Sequence, residues 1–196
     1  VVVDFTTAAA AREHVPALLR QGIHAVVGTS GFDADDLAAF AAAAAAGGSN
    51  VNVTPNFAVS AVLLLRLSEL AAPFFDTVEI VELHHDRKID APSGTAIATA
   101  ERIAAASSEW TADPTKSETL AGARGASGPG GIRIHSVRMR GMIAHQEVIF
   151  GAAGQTLTLR QDSYDVSGFM PGVLLACKRV GELPGLTVGL EQVLEL

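Results

Sequence analysis

An α/β chain with two differently built sheets is what this sequence predicts, and three observations predict it. Short apolar runs at 1–3, 23–27 and 51–53 alternate with helix-forming stretches. Strands separated by helices in this way make a parallel sheet with right-handed crossovers. Three later runs, 132–139, 144–150 and 155–160, alternate apolar and polar residues between turns, which marks an antiparallel sheet. Between the two patterns lies one strand, 78–83, that ends in a cluster of ionisable side chains and feeds a helix.

Each element has a local reason. Thr6 or Thr7 caps a helix over 8–21, and Gly22 stops it. A second helix runs over 33–46 and ends at Gly47-Gly48-Ser49-Asn50. Ligands of such sheets sit beyond the carboxyl ends of the strands, here Phe5-Thr6, Gly28-Thr29-Ser30 and Thr54-Pro55-Asn56-Phe57. Taken alone, residues 28–31 are an ordinary tight turn. A strongly apolar helix over 58–72 is closed by Pro73, and the polar, Gly-rich stretch 107–131 is a long loop. The antiparallel sheet needs one face covered, by helices of the same chain or by a second copy. A last helix over 169–183 has Pro171 near its start, and a strand over 186–190 follows Pro184-Gly185.

With 196 residues, 48% of them apolar, the chain suffices for one large domain or two small ones. No apolar run approaches the ~18 residues of a membrane span. A lone Cys177 excludes a disulfide framework, no signal peptide is visible, and the chain reads as cytoplasmic. The net charge of −7 argues against nucleic acid as a partner. An anionic ligand must find a local positive spot, which Arg87, Lys88 and the helix start at Ser93 supply. No Cys/His spacing suggests a metal.

The most informative stretch is Glu82-Leu83-His84-His85-Asp86-Arg87-Lys88-Ile89-Asp90-Ala91-Pro92-Ser93-Gly94-Thr95-Ala96. Two histidines and a lysine stand where a strand ends, and a Pro-Ser-Gly-Thr turn opens a helix whose free N–H groups attract anions. Each half alone is a common connection or a packing pair. Together they build a site for a small carboxylate substrate.

The run His84 to Ala96 resembles the active-site motif of the dihydrodipicolinate reductase family, His-His-x-x-Lys-x-Asp-Ala-Pro-Ser-Gly-Thr-Ala, at every fixed position. Residues 3–6, 22–32, 55–57 and 144–151 resemble that family too, so the likeness covers nearly the whole chain. It implies NADH- or NADPH-dependent reduction of 4-hydroxy-tetrahydrodipicolinate to tetrahydrodipicolinate in lysine and diaminopimelate biosynthesis. The implied fold is a partial Rossmann-type domain over 1–56 and 166–196, plus an α+β substrate-binding and tetramerisation domain over 57–165 with a mixed, mainly antiparallel sheet. By motif, His84 is the proton donor or acceptor and Lys88 the proton donor. His85, Ser93, Gly94 and Thr95 bind substrate. Phe5, Thr6, Gly28, Thr29, Ser30, Thr54, Pro55, Asn56 and Phe57 face the cofactor, and the assembly is a homotetramer.

Two departures from the family pattern stand out. Its Gly-rich dinucleotide turn, about fifty residues ahead of the matching Asp4-Phe5-Thr6, has no counterpart here. The run Gly122 to Gly128 has that spacing without the flanking strand and helix. The chain therefore reads as the C-terminal part of a longer enzyme, with a non-catalytic, dicarboxylate-binding fragment as the alternative. Val166 also replaces a common Arg.

Overall fold

The computed structural model describes residues 1–196. The elements in chain order are β1 (Val2–Asp4), α1 (Ala8–Leu19), β2 (Ala25–Val27), α2 (Ala34–Gly47), β3 (Val51–Val53), α3 (Val59–Ala71), β4 (Thr77–His84) and α4 (Gly94–Ala106). They continue with β5 (Ala126–Ser127), β6 (Arg133–Arg138), β7 (Ala144–Ala152), β8 (Gln155–Ser163), α5 (Met170–Arg179), β9 (Leu186–Val188) and α6 (Glu191–Leu194). They form two units, Val1–Val59 with Val166–Leu196, and Ser60–Asp165.

The first unit holds a four-stranded sheet in the order β1-β2-β3-β9, every neighbour parallel. Its central strands β2 and β3 are buried on both faces, as parallel strands between helices are, whereas the edge strands β1 and β9 expose Val3 and Val188. Ala11, Val15 and Leu19 of α1 pack with Phe40, Ala43 and Ala44 of α2 and with Val27, Val51 and Val53. Thr7 rather than Thr6 caps α1, accepting from the Ala10 N–H at 3.3 Å. The α2 start is a capping box, Asp33 accepting from Asp36 N and Asp36 accepting from Asp33 N. Buried Asn52 donates to Thr187 Oγ1 and to the Gly189 carbonyl, which ties β9 to β3.

The second unit holds a five-stranded sheet in the order β5-β6-β4-β7-β8. The mixed, mainly antiparallel character is as expected, but the neighbours are not. The alternation suggested β6, β7 and β8 as one antiparallel run, whereas β4 lies between β6 and β7, parallel to the first and antiparallel to the second. The crossover through α4 and the long loop explains this, because it returns the chain in the direction of β4. The buried face is covered from within the chain: Leu64 of α3 and Ala96, Ala100 and Ile103 of α4 pack on Ile80, Ile134, Val148 and Phe150. Of the two coverings considered for the apolar face, helices of the same chain are the one observed.

The long loop is partly structured. Residues Ala126–Ser127 add a strand to the edge of β6, and Trp110 packs against the core. The C-terminal helix is shorter than expected, because a 3-10 turn at Val166–Phe169 precedes α5 and the helix stops at Arg179. Val166 itself is 69% exposed. The four-residue α6 was not anticipated, being too short to show a helical period.

Gly47 is where α2 approaches the end of α1. An added Cβ there would stand 1.9 Å from the Leu19 carbonyl oxygen, which is backbone and cannot step aside. Gly47→Ala should therefore destabilise the protein by up to ~2 kcal/mol, since overpacking costs up to ~3 kcal/mol and a clash with fixed backbone lies at the upper end of that range, against a ~1 kcal/mol helix-propensity gain of alanine. Thermal unfolding that shows an unchanged or raised midpoint for Gly47→Ala would contradict that close approach.

Candidate active site

Strand β4 carries the hydrophobic core directly into a charged site. Its inward positions are Val78, Ile80, Glu82 and His84, because side chains two apart share a face. Val78 and Ile80 are buried apolar groups, and Glu82 is fully buried. An ionised carboxylate in that position costs several kcal/mol unless its lone pairs are satisfied. They are satisfied from three directions. Arg138 of β6 donates through Nη1 to Oε2 and through Nη2 to Oε1, both at 2.8 Å. The Ser93 backbone N–H donates to Oε1 at 3.1 Å, and His84 Nδ1 stands 2.6 Å from Oε2. Burial pushes the Glu82 carboxyl up, but hydrogen bonds from Arg138, Ser136 and His84 outweigh it and hold the group below its ordinary value.

The same contacts set the neighbours. Burial lowers the His84 imidazole below its usual value, against the opposing pull of Glu82. Arg138 also donates to the carbonyls of Asp90, at 2.7 Å, and Val137, at 2.8 Å. The loop between His84 and α4 is thus tied to the sheet at both ends. Within it, Lys88 reaches both carboxylate oxygens of Asp90 at 2.8 Å, and the Lys88 N–H donates to the His85 carbonyl at 3.2 Å. His85 has a buried Nδ1 with no partner in the protein, a group that a bound ligand would satisfy.

Ser93, 3% exposed, caps α4 by accepting from the Ala96 N–H at 3.2 Å. As an acceptor its hydroxyl is committed to the helix. Gly94 is exposed and Thr95 half-buried, and first-turn amides at such positions have no acceptor inside the helix. Beneath them the Thr99 hydroxyl donates to the Thr95 carbonyl at 2.8 Å, and buried Gln146 donates to Thr99 Oγ1 at 2.8 Å. The first turn of α4 is therefore propped from the sheet side.

One connected set of bonds joins His84, Ser93, Asp90 and Lys88 through Glu82 and Arg138. His85, Gly94 and Thr95 flank it in sequence. The sequence motif assigns no role to Glu82 or Arg138. A signal existed for Glu82: a carboxylate at an inward position of a strand whose other inward residues are apolar demands a buried partner. Arg138, 56 residues further along, carried none. His145 stands apart, its Nδ1 2.7 Å from Asp162 Oδ1 and its Nε2 accepting from the Ile143 N–H at 3.2 Å.

In the other unit, the nine residues expected to face a cofactor all stand at the carboxyl ends of β1, β2 and β3. Gly28 and Asn56 are half-buried. Phe5, Thr6, Ser30 and Pro55 are exposed, whereas Thr29, Thr54 and Phe57 are buried. The Thr29 hydroxyl donates to Asp4 at 2.6 Å and that of Thr54 to Asn52 at 2.7 Å, so both hold the framework. Asn56 Oδ1 accepts from the Ala58 N–H at 2.9 Å. The space over Gly28 is filled: a Cβ there would lie 2.0 Å from the ring of Phe5, which also packs on Phe57 at 5.7 Å. Gly28 serves that close ring contact first.

Comparison with known proteins bears on the family and the fold. The family model described as dihydrodipicolinate reductase, N-terminus, matches residues 1–57, and that described as dihydrodipicolinate reductase, C-terminus, matches 60–194. The 4-hydroxy-tetrahydrodipicolinate reductases of Corynebacterium aurimucosum and Nocardia farcinica are each 52% identical over the whole of this chain, which spans 80% of their length. The solved structure of dipicolinate-bound dihydrodipicolinate reductase from Paenisporosarcina sp. TG-14 superposes with a TM-score of 0.89 at 46% identity, over 97% of this chain and 72% of that one. A match of that length and depth, carried by both halves of the chain, shows that it belongs to the dihydrodipicolinate reductase family, enzymes that reduce 4-hydroxy-tetrahydrodipicolinate with NADH or NADPH.

Proposed function

We propose that this protein reduces 4-hydroxy-tetrahydrodipicolinate to tetrahydrodipicolinate, with loss of water, at the site formed by the end of β4 and the start of α4. The observation that carries the reading is local. In a chain of net charge −7, a paired histidine, a lysine and the first turn of a helix are gathered at one place. That set suits a dianion. His85, the Ser93 hydroxyl, and the Gly94 and Thr95 amides bind the carboxylates, with charge-assisted hydrogen bonds the strongest kind available. The dipicolinate named for the related solved structure is a dicarboxylate of the same form.

The reduction consumes a hydride and a proton. NADH or NADPH supplies the hydride. The carboxyl edge of the four-stranded sheet suits such a cofactor, with Thr6, Ser30 and Pro55 exposed beyond the strand ends and Gly28 and Thr29 holding the turn beneath them. Phe5, Thr54, Asn56 and Phe57 shape that edge. The proton comes from this chain's own acids, His84 and Lys88. An imidazole kept from charging by burial gives up its proton readily once it has one. Lys88 first has to leave Asp90, so substrate carboxylates compete with that pair. The reading places the enzyme in the cytoplasm, where no helix long and apolar enough to cross a membrane is required, and none is present.

Assembly as a homotetramer is part of the same proposal. Its support is the outer face of the five-stranded sheet, where Val81, Leu83, Val137 and Ile149 are only half-buried.

Replacing Lys88 by Ala or His84 by Gln should lower kcat by at least ~10²-fold, the low end for a general acid. Pyridine-2,6-dicarboxylate should still bind the His84→Gln chain in a calorimetric titration. Wild-type turnover in both variants would contradict the assignment, and dicarboxylate binding without any turnover in the wild-type chain would favour the non-catalytic alternative.

In sedimentation velocity at micromolar concentration the chain should run as a tetramer. A monodisperse monomer would contradict the assembly and leave the site reading untouched.

A further inference from the structure

We propose that Glu82 is the positioning residue of this reaction: its carboxylate holds the His84 imidazole in the Nδ1–H form, so that Nε2 exchanges the proton, and in the same contact it fixes the first turn of α4. The inference rests on the reading of His84 as proton carrier. Its structural ground is the use of both oxygens. Oε2 takes Arg138 and His84, and Oε1 takes Arg138 and the Ser93 N–H. A simple counterion for Arg138 would need neither the 2.6 Å contact to His84 nor the bond to Ser93.

An ionised carboxylate only accepts hydrogen bonds. Glu82 receives three N–H donors besides His84, so it is ionised, and the hydrogen between it and His84 belongs to Nδ1. That nitrogen is then protonated in the neutral ring as well as in the imidazolium. Every protonation change of His84 must pass through Nε2. The tautomer of a functional histidine is set by the bond its other nitrogen makes, and here that bond comes from a group no rotamer change can withdraw, since Glu82 is fully buried. Because the same carboxylate grips the Ser93 amide, the proton carrier and the carboxylate-binding helix turn are held to one point.

The charged groups facing His84 are Glu82 on its own strand, Lys88 on the loop and Arg138 on β6, with Asp90 paired to Lys88. Glu82 favours the charged imidazole, whereas Lys88 and Arg138 oppose it. Removing the Glu82 charge must therefore move the His84 titration to lower pH, and removing the Arg138 charge must move it to higher pH.

The test is nitrogen-15 NMR of the full chain with labelled histidine. Neutral His84 should appear as the Nδ1–H tautomer alone, and an Nε2–H tautomer in the wild-type chain would overturn the proposal without any variant. In Glu82→Gln the tautomer should become mixed, the His84 midpoint should fall, and kcat should drop about 10–100-fold, the range for losing an outer partner that orients an imidazole. KM should change less than kcat. Arg138→Gln should keep the Nδ1–H tautomer and raise the midpoint. Should Glu82→Gln fail to fold, the wild-type tautomer and Arg138→Gln still decide. Parallel shifts in the two variants would show a structural ion pair only, and so overturn the proposal. A pure Nδ1–H tautomer in a chain whose His84→Gln variant turns over normally would overturn the proton-transfer reading, and with it the catalytic half of this inference.

Discussion

A single buried carboxylate sets the geometry of the site. Glu82 lies where the apolar face of β4 meets the charged loop, and its burial is tolerable only because Arg138, Ser93 and His84 complete its coordination. Burying a charge without those partners costs several kcal/mol, more than most single contacts return. The strand, the neighbouring β6 and the start of α4 are consequently locked into one arrangement. Any local rearrangement that freed one of them would leave an uncompensated charge behind.

The core beneath explains why that arrangement is stiff. Ile80, two residues before Glu82, packs with Ile103 and Ala100 of α4 and with Ile134 of β6. The same strand therefore anchors the hydrophobic layer and the polar site, two residues apart. Thr99 and Gln146 add a buried polar support under the first turn of α4, so the turn carrying Gly94 and Thr95 is held by side chains of the sheet as well as by the Ser93 cap. Such preorganisation is what lets a small carboxylate be bound without first ordering a loop.

Much of this was legible in the sequence, for reasons that differ by element. Period-two and period-3.6 patterns, a threonine at 6 or 7 ahead of the first helix and the Pro-Ser-Gly-Thr turn ahead of α4 are local signals, and they located the helices to within a few residues. The motif His84 to Ala96 is also local, which is why the site could be named from the sequence. The strand order was harder. A parallel β4–β6 pair separated by a helix and a long loop gives the same alternation as a hairpin partner, and only the crossover distinguishes them. Arg138 was invisible because its bond spans 56 positions. Thr29 and Thr54 were placed at the cofactor edge by resemblance alone, and the bonds of their hydroxyls to buried Asp4 and Asn52 are what the sequence did not show. No sequence pattern shows which way a threonine turns.

The central claim, that Glu82 holds the helix start as well as the imidazole, is tested most directly by amide hydrogen exchange at Ser93. Amides at the start of a helix lack intrahelical acceptors and ordinarily exchange fast. Bonded to a buried carboxylate, the Ser93 amide should instead be protected by at least ~100-fold in the free chain, about 2.7 kcal/mol of opening free energy. Exchange near the unprotected rate, with the neighbouring amides of β4 still protected, would contradict the account.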